Sequence, residues 1–87
     1  MSNYYRGRVQ GVGFRYCVKT LAQGFEVTGI VRNLGDGGVE MIAEGQKPEV
    51  EAFLVAIRDS EVGSFIRQEQ TDWTDAQNEF RGFEITY

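Results

Sequence analysis

The chain has 87 residues, 41% of them hydrophobic and 25% charged, a balance that suits one soluble domain around one core and excludes a disordered tail or a string of modules. It contains no histidine and a single cysteine, Cys17, which excludes histidine acid–base catalysis, Cys–His dyads, Cys/His zinc sites and an internal disulfide. Thirteen acidic against nine basic residues give a net charge of −4, so a bound anion must be held by local geometry, and nucleic acid is disfavoured as the main ligand.

In chain order, Asn3 to Gln10 alternate, with Tyr5, Gly7 and Val9 on one side and Tyr4, Arg6, Arg8 and Gln10 on the other. That pattern predicts a strand with one buried face. Gly11 and Gly13 interrupt it, and the spacing of Val18, Leu21 and Ala22 then predicts a helix from Arg15 to Gln23, closed by Gly24 as a left-handed cap. Glu26 to Leu34 and Val39 to Glu44 read as strands, joined in a hairpin by Gly35-Asp36-Gly37-Gly38.

Val50, Phe53, Leu54 and Ile57 stand at i, i+3, i+4 and i+7, so Lys47 to Arg58 is predicted to be an amphipathic helix with Pro48 in its first turn. Ser64 to Trp73 is polar and weakly alternating, as an edge strand would be. The end, Phe83 to Tyr87, alternates cleanly and is expected to turn Phe83, Ile85 and Tyr87 inward. The resulting order is β-α-β-β-α-β with a possible extra strand. It predicts one α+β domain over residues 1–87, a ferredoxin-like sandwich whose antiparallel sheet is covered on one face by two helices. Many unrelated functions share that fold.

The chemistry must therefore be sought in particular residues, and Val9-Gln10-Gly11-Val12-Gly13-Phe14-Arg15 is the most informative run. A strand passing through a glycine turn into a helix can converge successive backbone N–H groups, and the helix start adds unsatisfied donors. Arg15 supplies a forked cation for phosphate oxygens. A tight turn followed by a surface arginine is the alternative reading of the same spacing. Two familiar phosphate motifs are absent: Tyr16 stands where a dinucleotide fingerprint needs a small residue, and Val18 stands where a P-loop needs glycine before Lys19-Thr20.

The run Gly7 to Arg15, followed by Gly29-Ile30-Val31-Arg32-Asn33 and the hairpin from Gly35 to Glu40, resembles the acylphosphatase family. The likeness extends to the Phe-Glu-Ile-Thr-Tyr ending and is weakest from Val62 to Glu79. It implies a small hydrolase of the carboxyl–phosphate mixed anhydride that needs no metal or cofactor, with Arg15 and Asn33 as the catalytic pair. Phosphate would be held by Gly11, Val12, Gly13, Phe14 and Arg15. The partners implied are an acyl phosphate substrate and inorganic phosphate as product.

Elementary chemistry agrees with that assignment. A carboxylate leaving group needs little protonation, so a protein without histidine can still catalyse the step, provided it positions water and stabilises the phosphoryl oxygens. Asn33 would orient that water, although an asparagine before Leu34-Gly35 also suits a simple turn. Arg6, Arg8 and Arg32 read as a solvated strand face, and Cys17 as a packed apolar residue.

Two other functions are weighed against hydrolysis. One is a non-catalytic anion-binding module that keeps the cradle. The other is an RNA-binding sheet using Tyr4, Tyr5, Phe14 and Tyr16, disfavoured because Arg8-Val9-Gln10-Gly11 lacks the required aromatic series. Similar cradles occur within larger carbamoyl-transfer proteins, but an ending at Tyr87 favours a free-standing enzyme. With no disulfide framework, membrane-length apolar run or signal segment, a cytoplasmic monomer is expected.

Overall fold

In a computed structural model, which describes residues 1–75 and 79–87, the apolar periods of the sequence resolve into two helices packed on one face of a five-stranded sheet. Strand β1 (Ser2–Gly7) buries Asn3 and Tyr5 and stops at Gly7. There φ is 128°, the pairing with the neighbouring strand slips, and a β-carbon would run into the Phe65 carbonyl oxygen. The predicted strand over 3–10 is therefore shorter, because only glycine permits that approach and the chain leaves the ladder afterwards.

Helix α1 (Phe14–Ala22) buries Phe14, Val18 and Ala22. It does not end on a left-handed Gly24: Gln23 caps it in the right-handed region, and the N–H groups of Gln23, Gly24 and Phe25 donate to carbonyls three residues back. The tightened last turn satisfies the helix carbonyls without a glycine cap. Strands β2 (Thr28–Asn33) and β3 (Val39–Glu44) form the expected hairpin, with Gly37 at φ 94° in its turn. Gly29 on β2 is required for close approach, since a β-carbon would collide with the Ile42 carbonyl of β3.

Helix α2 (Lys47–Asp59) buries the predicted set Val50, Phe53, Leu54 and Ile57, each worth about 1.5–3 kcal/mol relative to exposure. A short 3₁₀ turn leads into β4 (Ile66–Asp72), and the chain returns as β5 (Phe83–Thr86). The sheet order is β4-β1-β3-β2-β5. The ferredoxin-like expectation holds, with Ile66–Asp72 as the expected edge strand, and with one difference.

The polar segment from Ile66 is the fourth strand of the β-α-β-β-α-β unit, and β5 is the extra one. It lies parallel to β2, so the sheet is mixed rather than wholly antiparallel. Phe53 anchors this added strand, its ring 5.5 Å from that of Phe83 and 5.7 Å from that of Phe25. No helix is long and apolar enough to cross a membrane among the described residues.

Candidate active site

Residues 8–13 connect β1 to α1, and two backbone angles shape this connection. Gly11 and Gly13 take φ of 79° and 78°, a region in which side-chain-bearing residues are strained. A β-carbon on either would meet nothing within 4 Å, so the backbone angle, not crowding, selects glycine. Gly13 is the N-cap of α1, with no side-chain cap bond and no acidic residue in the first turn. Its carbonyl accepts the first helical bond, from Cys17 N–H at 3.0 Å. The opening N–H groups of α1 are left to an outside acceptor and carry the positive end of the helix dipole.

The side chains of the loop divide their work. Phe14 is buried and packs edge-on against Tyr5, ring centres 5.0 Å apart, so it pins the helix start and offers only its N–H to a ligand. Val12 packs against the core. Arg15 is half-buried and stands with its guanidinium carbon 5.1 Å from the centre of the Tyr87 ring. Among the described residues the ion pairs engage Arg6, Lys19, Arg32 and Arg58, but not Arg15. Its charge remains available to an anion, oriented by a ring face.

Gly11, Gly13, Phe14 and Arg15 line a hollow of about 230 Å³, walled further by Val9, Tyr16, Ile85 and Tyr87. Tyr87 was expected inside, yet it is 98% exposed. It lies one residue beyond Thr86, which pairs with Arg32 of β2. The parallel strand thus ends beside the end of β2 and supplies the wall on which Arg15 rests. Larger depressions exist beside Trp73 and over Tyr4 and Arg6, but neither is lined by the glycine loop.

Asn33 closes β2, on the same face as the fully buried Val31 and paired with Val39 of β3. Its Oδ1 is buried and accepts no hydrogen bond from the described residues, a condition that costs about 1–3 kcal/mol unless a ligand or water answers it. The turn after Asn33 is held from two sides. Arg6 Nη1 meets Asp36 Oδ2 at 2.6 Å, and Asp36 Oδ1 accepts Gly38 N–H at 2.9 Å. The Gly38 N–H and then Arg6 hold the Asp36 carboxyl below its usual range. From the loop side, Gln10 Nε2 donates to Leu34 O at 2.8 Å and to Gly38 O at 2.9 Å.

These contacts fasten the Asn33 turn to the segment leading into the glycine loop, while β5 brings Tyr87 from Arg15 towards the end of β2. Gln10 and Tyr87 had no assigned part in the sequence. Gln10 read as one more exposed residue of a strand, because its partners lie 24 and 28 residues away. Among the described residues no cluster of three His, Cys, Asp or Glu side chains is placed to hold a metal ion.

Comparison with known proteins gives a consistent result. A family model described as Acylphosphatase matches residues 1–85. The chain is 39% identical over 79 residues to an acylphosphatase of Salinibacter ruber, covering 91% of this chain and 83% of that one. It is 42% identical over 81 residues to one of Bacillus licheniformis, covering 93% and 90%. The crystal structure of acylphosphatase from Bacillus subtilis superposes over 100% of both chains, with a TM-score of 0.86 at 33% identity.

Proposed function

The chain belongs to the acylphosphatase family, and we propose that it hydrolyses the carboxyl–phosphate bond of acyl phosphates to a carboxylate and inorganic phosphate. Arg15 and the backbone N–H groups of Gly11, Val12, Gly13, Phe14 and Arg15 hold the phosphoryl group. Asn33 orients the attacking water. The observation that carries this reading is the buried, unpartnered Oδ1 of Asn33 at the end of β2, in a turn fastened by Gln10 to the approach of an uncapped glycine cradle.

The Asn33 side-chain amide holds the water by a hydrogen bond and aims an oxygen lone pair at phosphorus in line with the acyl oxygen. As the new P–O bond forms, the bond to the acyl oxygen breaks and the carboxylate leaves with its electron pair. Charge on the equatorial oxygens meets Arg15 and the loop amides, which are already oriented. A phosphate oxygen takes the water's proton, so no enzyme base is needed. The working unit proposed is a single domain over residues 1–87, monomeric since every group invoked comes from one chain, and cytoplasmic since a single cysteine offers no disulfide framework.

The test is hydrolysis of benzoyl phosphate with EDTA present, comparing the wild type with folded Arg15→Ala and Asn33→Ala. Turnover that survives EDTA and is lost in both variants supports the proposal. Phosphate binding without turnover above the spontaneous rate would refute it in favour of an anion-binding module.

A further inference from the structure

We propose that Gln10 is a positioning residue that sets the distance between the two halves of the site, an inference that rests on the hydrolytic roles of Arg15 and Asn33. Its single side-chain nitrogen donates to two carbonyls, Leu34 O at 2.8 Å and Gly38 O at 2.9 Å. Leu34 directly follows Asn33. Gly38 directly precedes Val39, the ladder partner of Asn33. One amide therefore grips both arms of the turn at its mouth, where Leu34 N–H also donates to Gly38 O at 2.8 Å.

At its other end the backbone of Gln10 runs straight into Gly11. Few side chains meet this requirement: the group must reach two acceptors, use a donor on each, and remain neutral in a half-buried place. A primary amide does so, an ionised carboxylate donates nothing, and an ammonium brings a charge. Among the described residues no other side-chain hydrogen bond joins residues 8–13 to residues 33–38. The Arg6–Asp36 pair instead ties the turn to β1. Neither Gln10 nor Asn33 lines the hollow, so Gln10 acts on the reaction through where it holds the turn that begins at Asn33. In-line attack tolerates little displacement, and about 1 Å of misplacement costs about a hundredfold in rate.

The experiment is a double-mutant cycle on the full chain, with benzoyl phosphate turnover and inorganic phosphate binding as separate readouts. Gln10→Met keeps the length and removes both donors. It is expected to lower kcat by about ten- to a hundredfold and to leave phosphate affinity within about twofold of wild type. In an Asn33→Ala background the same change is expected to alter kcat by no more than about twofold, because the positioned group is already gone.

Equal losses in both backgrounds would overturn the inference and leave the hydrolytic reading standing. A wild type without turnover would overturn both. Should Gln10→Met not fold, Gln10→Glu carries the same cycle and adds a pH readout. Its activity relative to wild type should rise as the pH falls towards about 4.3, where the protonated acid regains a donor. A flat ratio from a folded Gln10→Glu would count against the positioning role.

Discussion

Replacing Asn33 with alanine should separate function from stability in a way few substitutions do. In the folded chain its Oδ1 is buried without a partner among the described residues, an arrangement that costs about 1–3 kcal/mol of desolvation where no water answers it. Alanine removes that cost, and against it stands a small loss of packing at a half-buried strand end. The expected net change in stability is between zero and a gain of about 1 kcal/mol, which raises the melting temperature by up to about 4–8 °C in a domain of this size.

Turnover should move the other way, because loss of one preorganised transition-state contact costs about a hundred- to a thousandfold, or about 2.7–4 kcal/mol. Calorimetric melting of both proteins, paired with benzoyl phosphate hydrolysis and phosphate binding, makes the comparison. Unchanged phosphate affinity, lower kcat and an equal or higher melting temperature are the expected set. A melting temperature lowered by several degrees, with activity falling only in proportion to unfolded protein, would show that Asn33 serves the turn and not the reaction.

Three further outcomes follow from the same physical arguments. Gly13→Val should cost about 1–2 kcal/mol through its left-handed φ, the space around it being open, and should weaken phosphate binding measured by calorimetry; unchanged affinity would remove the loop from the site. Tyr87→Ala takes away the ring beneath Arg15 and should raise KM by about two- to fivefold with little change in melting temperature, the value of an exposed cation–π contact. Burial raises the Glu69 carboxyl, but hydrogen bonds from Arg58 and Asn3 outweigh it and hold the group below its ordinary 4.5. A depressed folded value means that its contribution is present above pH 4.5 and is lost as the pH falls through the lower folded value. Glu69→Gln should accordingly lower the neutral plateau of melting temperature and flatten its acid limb; an acid limb unchanged in steepness would assign that loss to other carboxylates.

The elements that were legible in the sequence are those whose signal is local. Val50, Phe53, Leu54 and Ile57 announce α2 because 3.6-residue periodicity needs no knowledge of the partner. Gly11 and Gly13 announce a special backbone because few other residues tolerate their φ. What escaped depends on distant parts of the chain. The polar Ile66–Asp72 segment is the edge strand its sequence predicts, but its place beside β1 rests on that pairing and on Glu69, which reaches Asn3 and Arg58. Tyr87 follows the inward alternation of Phe83 and Ile85, yet the sheet ends beneath it, so the ring emerges at Arg15. Period-two patterning specifies a face and says nothing of where the covering layer stops.

The same contrast between local and distant effects explains how a chain of net charge −4 can bind an anion. Arg6, Lys19, Arg32 and Arg58 are engaged with carboxylates, so much of the basic charge neutralises neighbours and projects little field. At physiological salt the screening length is about 8 Å, which confines the surplus acidic charge to its own surroundings. What an incoming phosphoryl group would meet at the proposed site is the nearest shell, consisting of the loop amides, the opening turn of α1 with no carboxylate in it, and Arg15 held on Tyr87 with no ion-pair partner among the described residues. Placing an acid in that first turn should therefore weaken phosphate binding far more than adding one on the outer face of α2, although both change the net charge equally.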